Sequence, residues 1–142
     1  MILESITSQL KRDEGFRSSA YQDTEGFWTI GYGRLIDGRK NAGISIDEGE
    51  FLLSNDIGKR LFQLDNFIPW WSDLDHVRQH VLINMCFNLG IHGLLGFKNT
   101  LAKIKEGKYA EAAENMLKSR WAEQVPTRAF RLSEMMRTGK DI

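Results

Sequence analysis

The chain has almost no cysteine: Cys86 is the single one among 142 residues. No internal disulfide can form, and chains of this kind are made in reducing compartments. Cys86 lies in the run Val81-Leu82-Ile83-Asn84-Met85-Cys86-Phe87, where it reads as a small buried apolar group. Net charge is lacking as well. Nineteen basic and nineteen acidic side chains cancel, whereas a general nucleic-acid binder carries a clear positive excess. Long apolar runs are missing too, and nothing approaches the roughly 20 residues of a membrane-spanning helix. The first residues, Met1-Ile2-Leu3-Glu4-Ser5-Ile6-Thr7-Ser8-Gln9, are too polar for a signal-peptide core. Any target beyond the cytoplasmic membrane then requires separate delivery. The chain shows no internal repeat, low-complexity tract or long disordered linker.

What is present is enough chain for one ordinary domain, or two small lobes, with a sizeable core. One segment departs from neutrality. Between Lys118 and Lys140, six basic residues (Lys118, Arg120, Arg128, Arg131, Arg137, Lys140) face only Glu123 and Glu134. Such an excess can attract an anionic polymer, and a solvated helical face explains it equally well.

Local patterns predict an α+β fold, mostly α. Ile2, Leu3, Ile6 and Leu10 fall on one side of a helix running from about residue 2 to 13 and stopped by Gly15. Glu14 then sits at the carboxyl end of that helix, where the dipole disfavours ionisation. Ala20-Tyr21-Gln22 and Phe27-Trp28-Thr29-Ile30-Gly31-Tyr32 read as strands around a turn, Asp23-Thr24-Glu25-Gly26. Residues 37–43 read as a second loop. Ser45-Ile46-Asp47-Glu48 matches a capping box opening a helix that ends near Asn66. Ser72-Asp73-Leu74-Asp75 is another start signal, for a central buried helix over 77–89. Gly90, Gly93 and Gly96 break the chain. Short helices follow over 100–105, 109–118 and 127–137, the last bracketed by Pro126 and Gly139. The expected organisation is a small β-containing lobe (16–45), a connecting helix (46–66) and a helical lobe (1–15 and 67–142), with a cleft between lobes.

Glu14, Asp23 and Thr29 are the candidate chemistry. Each alone has a plain reading: surface decoration at a helix end, a turn cap, a strand residue. Together they place two carboxyl groups and a hydroxyl within sixteen positions. Glycosidic bonds are cut by one carboxylic acid and one carboxylate flanking the scissile bond. Phe27, Thr29, Gly31 and Gly33 share one strand face by alternation. Glycines inside a strand suggest that something approaches closely, such as a sugar ring.

These segments resemble a known family. Glu14-Gly15, Asp23-Thr24-Glu25-Gly26 and Trp28-Thr29-Ile30-Gly31-Tyr32-Gly33 look like the phage-type lysozymes, the bacteriophage T4 endolysin family of glycoside hydrolases. The likeness continues through Leu82-Ile83-Asn84-Met85, Gly96-Phe97, Asn99, Glu111-Ala112-Ala113, Lys118-Ser119-Arg120-Trp121 and Arg137-Thr138-Gly139.

The resemblance implies the lysozyme-like two-lobe fold and a muramidase. Such an enzyme cleaves the β-1,4 bond between N-acetylmuramic acid and N-acetylglucosamine in peptidoglycan. It implies Glu14 as general acid, Asp23 as the second carboxylate and Thr29 as the hydroxyl that helps hold water. Leu35, Phe87, Asn88, Thr100 and Asn115 match residues lining the saccharide cleft. Asn88 is one methylene shorter than the Gln of the T4 member. Arg128 matches an Arg that pairs with the general acid. Gly33 is followed by Arg34, where many members have His, and Asp56 matches that His residue's partner. An Arg34–Asp56 ion pair is therefore expected. The segment between Leu35 and Ser45 is shorter than in the T4 member, which reduces the lower cleft wall. Zero net charge implies weaker or less salt-sensitive binding to anionic murein.

The expected partner is the peptidoglycan glycan strand, with no nucleic acid, no stable membrane association, no cofactor and no metal. A monomer is expected, synthesised in a host cytoplasm without a signal peptide and released to the periplasmic wall by a separate holin, as a phage endolysin in host lysis. The rival readings are a non-catalytic murein-binding module and a lytic transglycosylase. The latter needs one acid and no water-activating carboxylate, so Asp23 with Thr29 favours hydrolysis.

Overall fold

The structure is a computed structural model and describes residues 2–36 and 43–142, with side chains described from residue 4. It is mostly helical with one small antiparallel sheet. In chain order the elements are α1 (Ile2–Glu14), β1 (Arg17–Gln22), β2 (Trp28–Gly31), β3 (Arg34–Leu35) and α2 (Ile46–Phe67). A 3₁₀ turn (Pro69–Asp73) leads to α3 (His76–Leu95), α4 (Lys98–Lys105), α5 (Tyr109–Leu117), α6 (Arg120–Gln124) and α7 (Pro126–Thr138). The chain divides into two compact units, Met1–Phe51 and Leu52–Ile142. The first helix falls in the first unit with the sheet, whereas its apolar stripe suggested the helical lobe.

In the first unit, α1 stops where the Gly15 N–H bonds Lys11 O at 3.0 Å. The three strands run β1-β2-β3 in sheet order. Tyr21 opposes Thr29, and Gln22 opposes Trp28, with an irregularity between Arg17 and Tyr21. Thr29 also opposes Leu35, and Ile30 opposes Arg34. Thr29 is thus in the middle strand, flanked on both sides. β3 has only two residues, and no alternation announced it. β2 ends earlier than expected. Gly31 and Gly33 take φ of +67° and +72°, so the strand does not continue through them and the shared face with Thr29 ends at the turn. The loop expected over 37–43 lies outside the described residues except for Gly43.

The capping box at α2 forms as expected. Ser45 N–H donates to Glu48 Oε1 at 2.8 Å, and Glu48 N–H donates to Ser45 Oγ at 3.2 Å. Arg34 joins it. Its Nη2 donates to Glu48 Oε1 at 2.8 Å and its Nε to Gly43 O at 3.0 Å, while Nη1 meets Glu48 Oε2. The carboxylate on Arg34 is therefore that of Glu48, where Asp56 was expected. Glu48 lies closer in sequence and is fixed by its cap, so the fork of the guanidinium finds both its oxygens already in place.

The second unit holds the core. Leu64, Ile68, Val81, Leu82, Met85, Cys86, Leu94, Ile104, Met116, Leu132 and Met136 are all at most 2 % exposed. Burying each large side chain contributes about 1.5–3 kcal/mol. Cys86 is buried as expected, and burial pushes its thiol up from the ordinary range. The helix α3 starts one residue after Asp75, whose Oδ2 accepts from Arg78 N–H at 3.2 Å. It breaks at Gly90, with φ 77° and ψ 163°, as the sequence predicts. Gly93 stays inside the helical run and Gly96 caps it. Helix α6 was not foreseen. It has five residues and is set by Ser119, whose Oγ accepts from Ala122 N–H at 3.2 Å.

One side chain ties the ends of this unit together. Arg78 Nε donates to Met136 O at 2.7 Å and Nη2 to Arg137 O at 3.3 Å. Nη1 meets Asp75 Oδ1 at 3.1 Å, and the guanidinium lies 3.6 Å from the Tyr109 ring centroid. It thus satisfies carbonyls at the end of α7 that have no helical partner. Gly139, at φ +71°, leaves room: a Cβ there would stand 2.9 Å from Arg78 Nη1.

Two predictions follow from these contacts. Replacing Arg78 by Ala removes charged hydrogen bonds and a cation–π contact, so unfolding free energy should fall by about 3 kcal/mol. Arg78→Lys should recover only part of that, because an ammonium cannot fork; equal denaturant midpoints for wild type and R78A would refute the role. The Glu48 carboxyl is held below its ordinary 4.5 by the Ser45 backbone N–H, then the Ser45 side chain, then Arg34. The folded state therefore binds this proton less readily than the unfolded chain. Its stabilisation is complete above about pH 4.5 and is lost as pH falls through the lowered value. The difference in melting temperature between wild type and Glu48→Gln should shrink on acidification, and a difference that grows below pH 4 would contradict this assignment.

Candidate active site

Asp23 is built into its turn by backbone. Its Oδ1 accepts from Glu25 N–H at 2.9 Å and from Phe27 N–H at 2.8 Å. The main chain closes the same turn, with Asp23 N–H to Phe27 O at 2.8 Å and Gly26 N–H to Asp23 O at 2.9 Å. A short carboxylate that bonds the amides two and four residues on is what an Asp at a turn does best. Its orientation is therefore fixed before any ligand arrives.

Thr29 follows on β2 and is 4 % exposed. Its Oγ1 donates to Phe27 O at 3.1 Å. The hydroxyl proton is thereby committed, and the oxygen presents its remaining lone pair as an acceptor. The main chain of one residue thus serves both side chains. The N–H of Phe27 holds the Asp23 carboxylate, and its carbonyl takes the Asp23 N–H and the Thr29 hydroxyl. Phe27 was noted only as a neighbour on the strand face. The signal available was the four-residue spacing from Asp23 across a Gly-containing turn.

Glu14 is the last residue of α1, and its side chain is solvent-exposed. Its carboxyl lies over Gly33. A Cβ built at Gly33 would be 2.8 Å from Glu14 Cδ and closer still to Oε2. The close approach that the glycine pattern suggested is thus real, but the group that makes it is Glu14. The turn is gripped from α1 as well. Phe16 and Tyr32 rings lie 5.3 Å apart, and Lys11 Nζ stands 5.7 Å from the Tyr32 ring centroid. Glu14, Asp23, Thr29, Gly33, Arg34 and the half-buried Leu35 all belong to the first unit.

The remaining candidates belong to the second unit. Phe87 and Arg128 line one cavity of about 300 Å³ together with Leu53, Ile57, His80, Ile83 and Asn84. Arg128 Nε donates to Asn84 Oδ1 at 2.8 Å, a partner the sequence did not single out. Asn88, the next residue round α3, accepts at Oδ1 from Trp121 Nε1 at 2.7 Å, and Trp121 stacks edge-on with Phe97 at 6.0 Å. Thr100 is buried in α4 and Asn115 half-buried in α5; neither lines that cavity. Asp56 is half-buried on α2. Among the described residues no group of three or more His, Cys, Asp or Glu side chains is placed to hold a metal. Among the same residues no single helix is long and apolar enough to cross a membrane.

Comparison with known proteins matches this architecture to one family. The phage lysozyme family model covers residues 11–131, a span that contains Glu14, Asp23, Thr29 and Arg128. The chain is similar to probable T4-type lysozyme 1 of Dictyostelium discoideum, at 34 % identity over 97 % of this chain and 96 % of that protein. It is also similar to the pre-baseplate central spike protein Gp5 of Enterobacteria phage T4, at 29 % identity over 95 % of this chain and 28 % of that protein. The endolysin of Acyrthosiphon pisum secondary endosymbiont phage 1 is 28 % identical over 77 % of this chain and 73 % of that protein. The Dictyostelium alignment runs over 164 positions, more than the 142 residues of this chain, so that relative carries segments this chain lacks. With the match spanning both the carboxylate-bearing unit and most of the helical one, the chain belongs to the phage lysozyme family.

Proposed function

We propose that this protein is a muramidase: it hydrolyses the β-1,4 bond between N-acetylmuramic acid and N-acetylglucosamine of peptidoglycan. The observation that carries the reading is the family match over residues 11–131, within which a carboxyl at a helix end and a carboxylate locked in a turn stand on separate elements of one unit. Glu14 is the general acid that protonates the leaving glycosidic oxygen. Its side chain is exposed at the end of α1, where a glycan can reach it. Asp23 is the second carboxylate, which stabilises positive charge at the anomeric carbon or activates water. Thr29, with its proton committed to Phe27 O, accepts a hydrogen from that water and steadies it beside Asp23. Leu35, Phe87, Asn88, Thr100 and Asn115 are proposed as glycan contacts, with Gly33, Arg34, Asp56 and Arg128 as supporting residues.

On this reading the biological role is that of a phage endolysin, a monomer without cofactor, made in the host cytoplasm and admitted to the periplasmic peptidoglycan by a separate holin. Similarity to a protein named endolysin supports it. The likeness to a baseplate spike protein supplies the alternative, a wall-cutting module used at entry, and a lysis assay on cells expressing the chain with and without a holin separates the two.

Release of reducing ends from purified peptidoglycan tests the chemistry. Glu14→Gln should lower kcat by about 10²- to 10⁴-fold, Asp23→Asn by a comparable factor, and Thr29→Val by less, with the fold intact by circular dichroism. Full activity in the Gln variant would sink the assignment. Hydrolysis leaves free reducing muramic ends, so mass spectra dominated by 1,6-anhydro products would instead establish a transglycosylase.

A further inference from the structure

We propose that Gly33 is a positioning residue for the acid: its missing side chain is the seat in which the Glu14 carboxyl rests. This inference rests on the reading of Glu14 as the general acid. Two features of Gly33 are independent of each other. Its φ of +72° is a conformation that L side chains rarely adopt. Separately, the place a Cβ would take is already filled, with Glu14 Cδ at 2.8 Å, Cγ at 3.3 Å and Oε2 closer than either. Of the positive-φ glycines in the first unit, Gly15, Gly26, Gly31 and Gly43 have nothing within 4 Å of such a Cβ. The conformational requirement is thus shared along the unit, whereas the steric one falls on Gly33 and concerns the acid.

The geometry explains how a flexible, exposed side chain can be aimed. A glutamate at a helix end has three rotatable bonds and no neighbour to hold it by shape. Here the turn between β2 and β3 is fixed against the end of α1 by Phe16 and Lys11 on Tyr32, and Gly33 is the next residue. The floor under the carboxyl is therefore bare main chain at a set position. A methyl group on that floor pushes Oε2 away. The push costs the fold little, because the far end of a long side chain gives way easily. For the reaction it is expensive, since misplacing a catalytic group by about 1 Å lowers the rate on the order of 100-fold.

Three replacements in the full chain test this. Gly33→Asn tolerates positive φ better than other L residues, so it should fold, yet it brings a Cβ onto the carboxyl. Gly33→Ala adds backbone strain to the same collision. Gly33→D-Ala, made by chemical ligation, favours the positive φ and points its methyl to the opposite side of the main chain. With peptidoglycan as substrate, kcat should fall on the order of 100-fold in the Asn and Ala variants with KM unchanged, and should stay within a few-fold of wild type in the D-Ala protein. A folded Asn variant of wild-type kcat overturns the proposal. So does equal loss in the Asn and D-Ala proteins, which would assign the glycine to turn shape or to room for substrate. Glu14→Gln, assayed alongside, separates the two ideas: an active Gln variant removes the acid itself, whereas an inactive one with undiminished G33N removes only the role of Gly33.

Discussion

The main chain of Phe27 is the point on which the candidate site depends. Its N–H and its carbonyl flank one Cα, so the φ and ψ of that single residue set their mutual direction. The N–H holds the Asp23 carboxylate, and the carbonyl holds both the Asp23 main chain and the Thr29 hydroxyl. Rotating any one of these partners disturbs the other two. The middle strand then locks the arrangement from outside, because Thr29 is paired to Tyr21 on one side and Leu35 on the other. Side chains held this way by main chain keep their direction in a small unit without a large apolar core of its own.

The same economy governs the junction with α2. Glu48 already has its Oε1 committed to the Ser45 N–H as half of a capping box. Arg34 adds its fork to both oxygens and to Gly43 O. One carboxylate thus ties Arg34 of β3 to the start of α2. The residue after Gly33 is thus an Arg whose planar fork matches a carboxylate on both oxygens. In that tie the Glu48 carboxyl is held below its ordinary value by the Ser45 N–H, the Ser45 hydroxyl and Arg34.

Much of this was legible from sequence where the cause is local. The capping box spans four residues, the Asp23 turn four, and the break at Gly90 one, so each can be read from adjacent letters. The trio of polar residues was legible because turn and strand chemistry place them without help. What escaped reading has a common cause. Arg34 holds Glu48, 14 positions on, and no spacing rule supplies that pairing. The bonds of Trp121 to Asn88 and of Arg78 to Met136 join positions 33 and 58 apart. Helix α6 is shorter than two turns, too short for a periodic signal. The strand through Gly31 and Gly33 was over-extended because alternation carries no sign of φ, and a glycine looks the same in a strand and in a turn.

Those two glycines also show how the two carboxyl groups are held by opposite means. Asp23 is short, and donors that would otherwise be unpaired in the turn surround it, so attraction fixes its direction. Glu14 is long and exposed, and its direction is set by what is absent beneath it. The first arrangement suits a group that must stay put while charge develops next to it, since preorganised dipoles need no rearrangement at that moment. The second holds a carboxyl by shape, which on the proposed reading of Glu14 as the general acid suits a group that gives its proton to the leaving oxygen. On the proposed reading of Glu14 as acid and Asp23 as carboxylate, the backbone thus treats the two residues in line with their separate tasks.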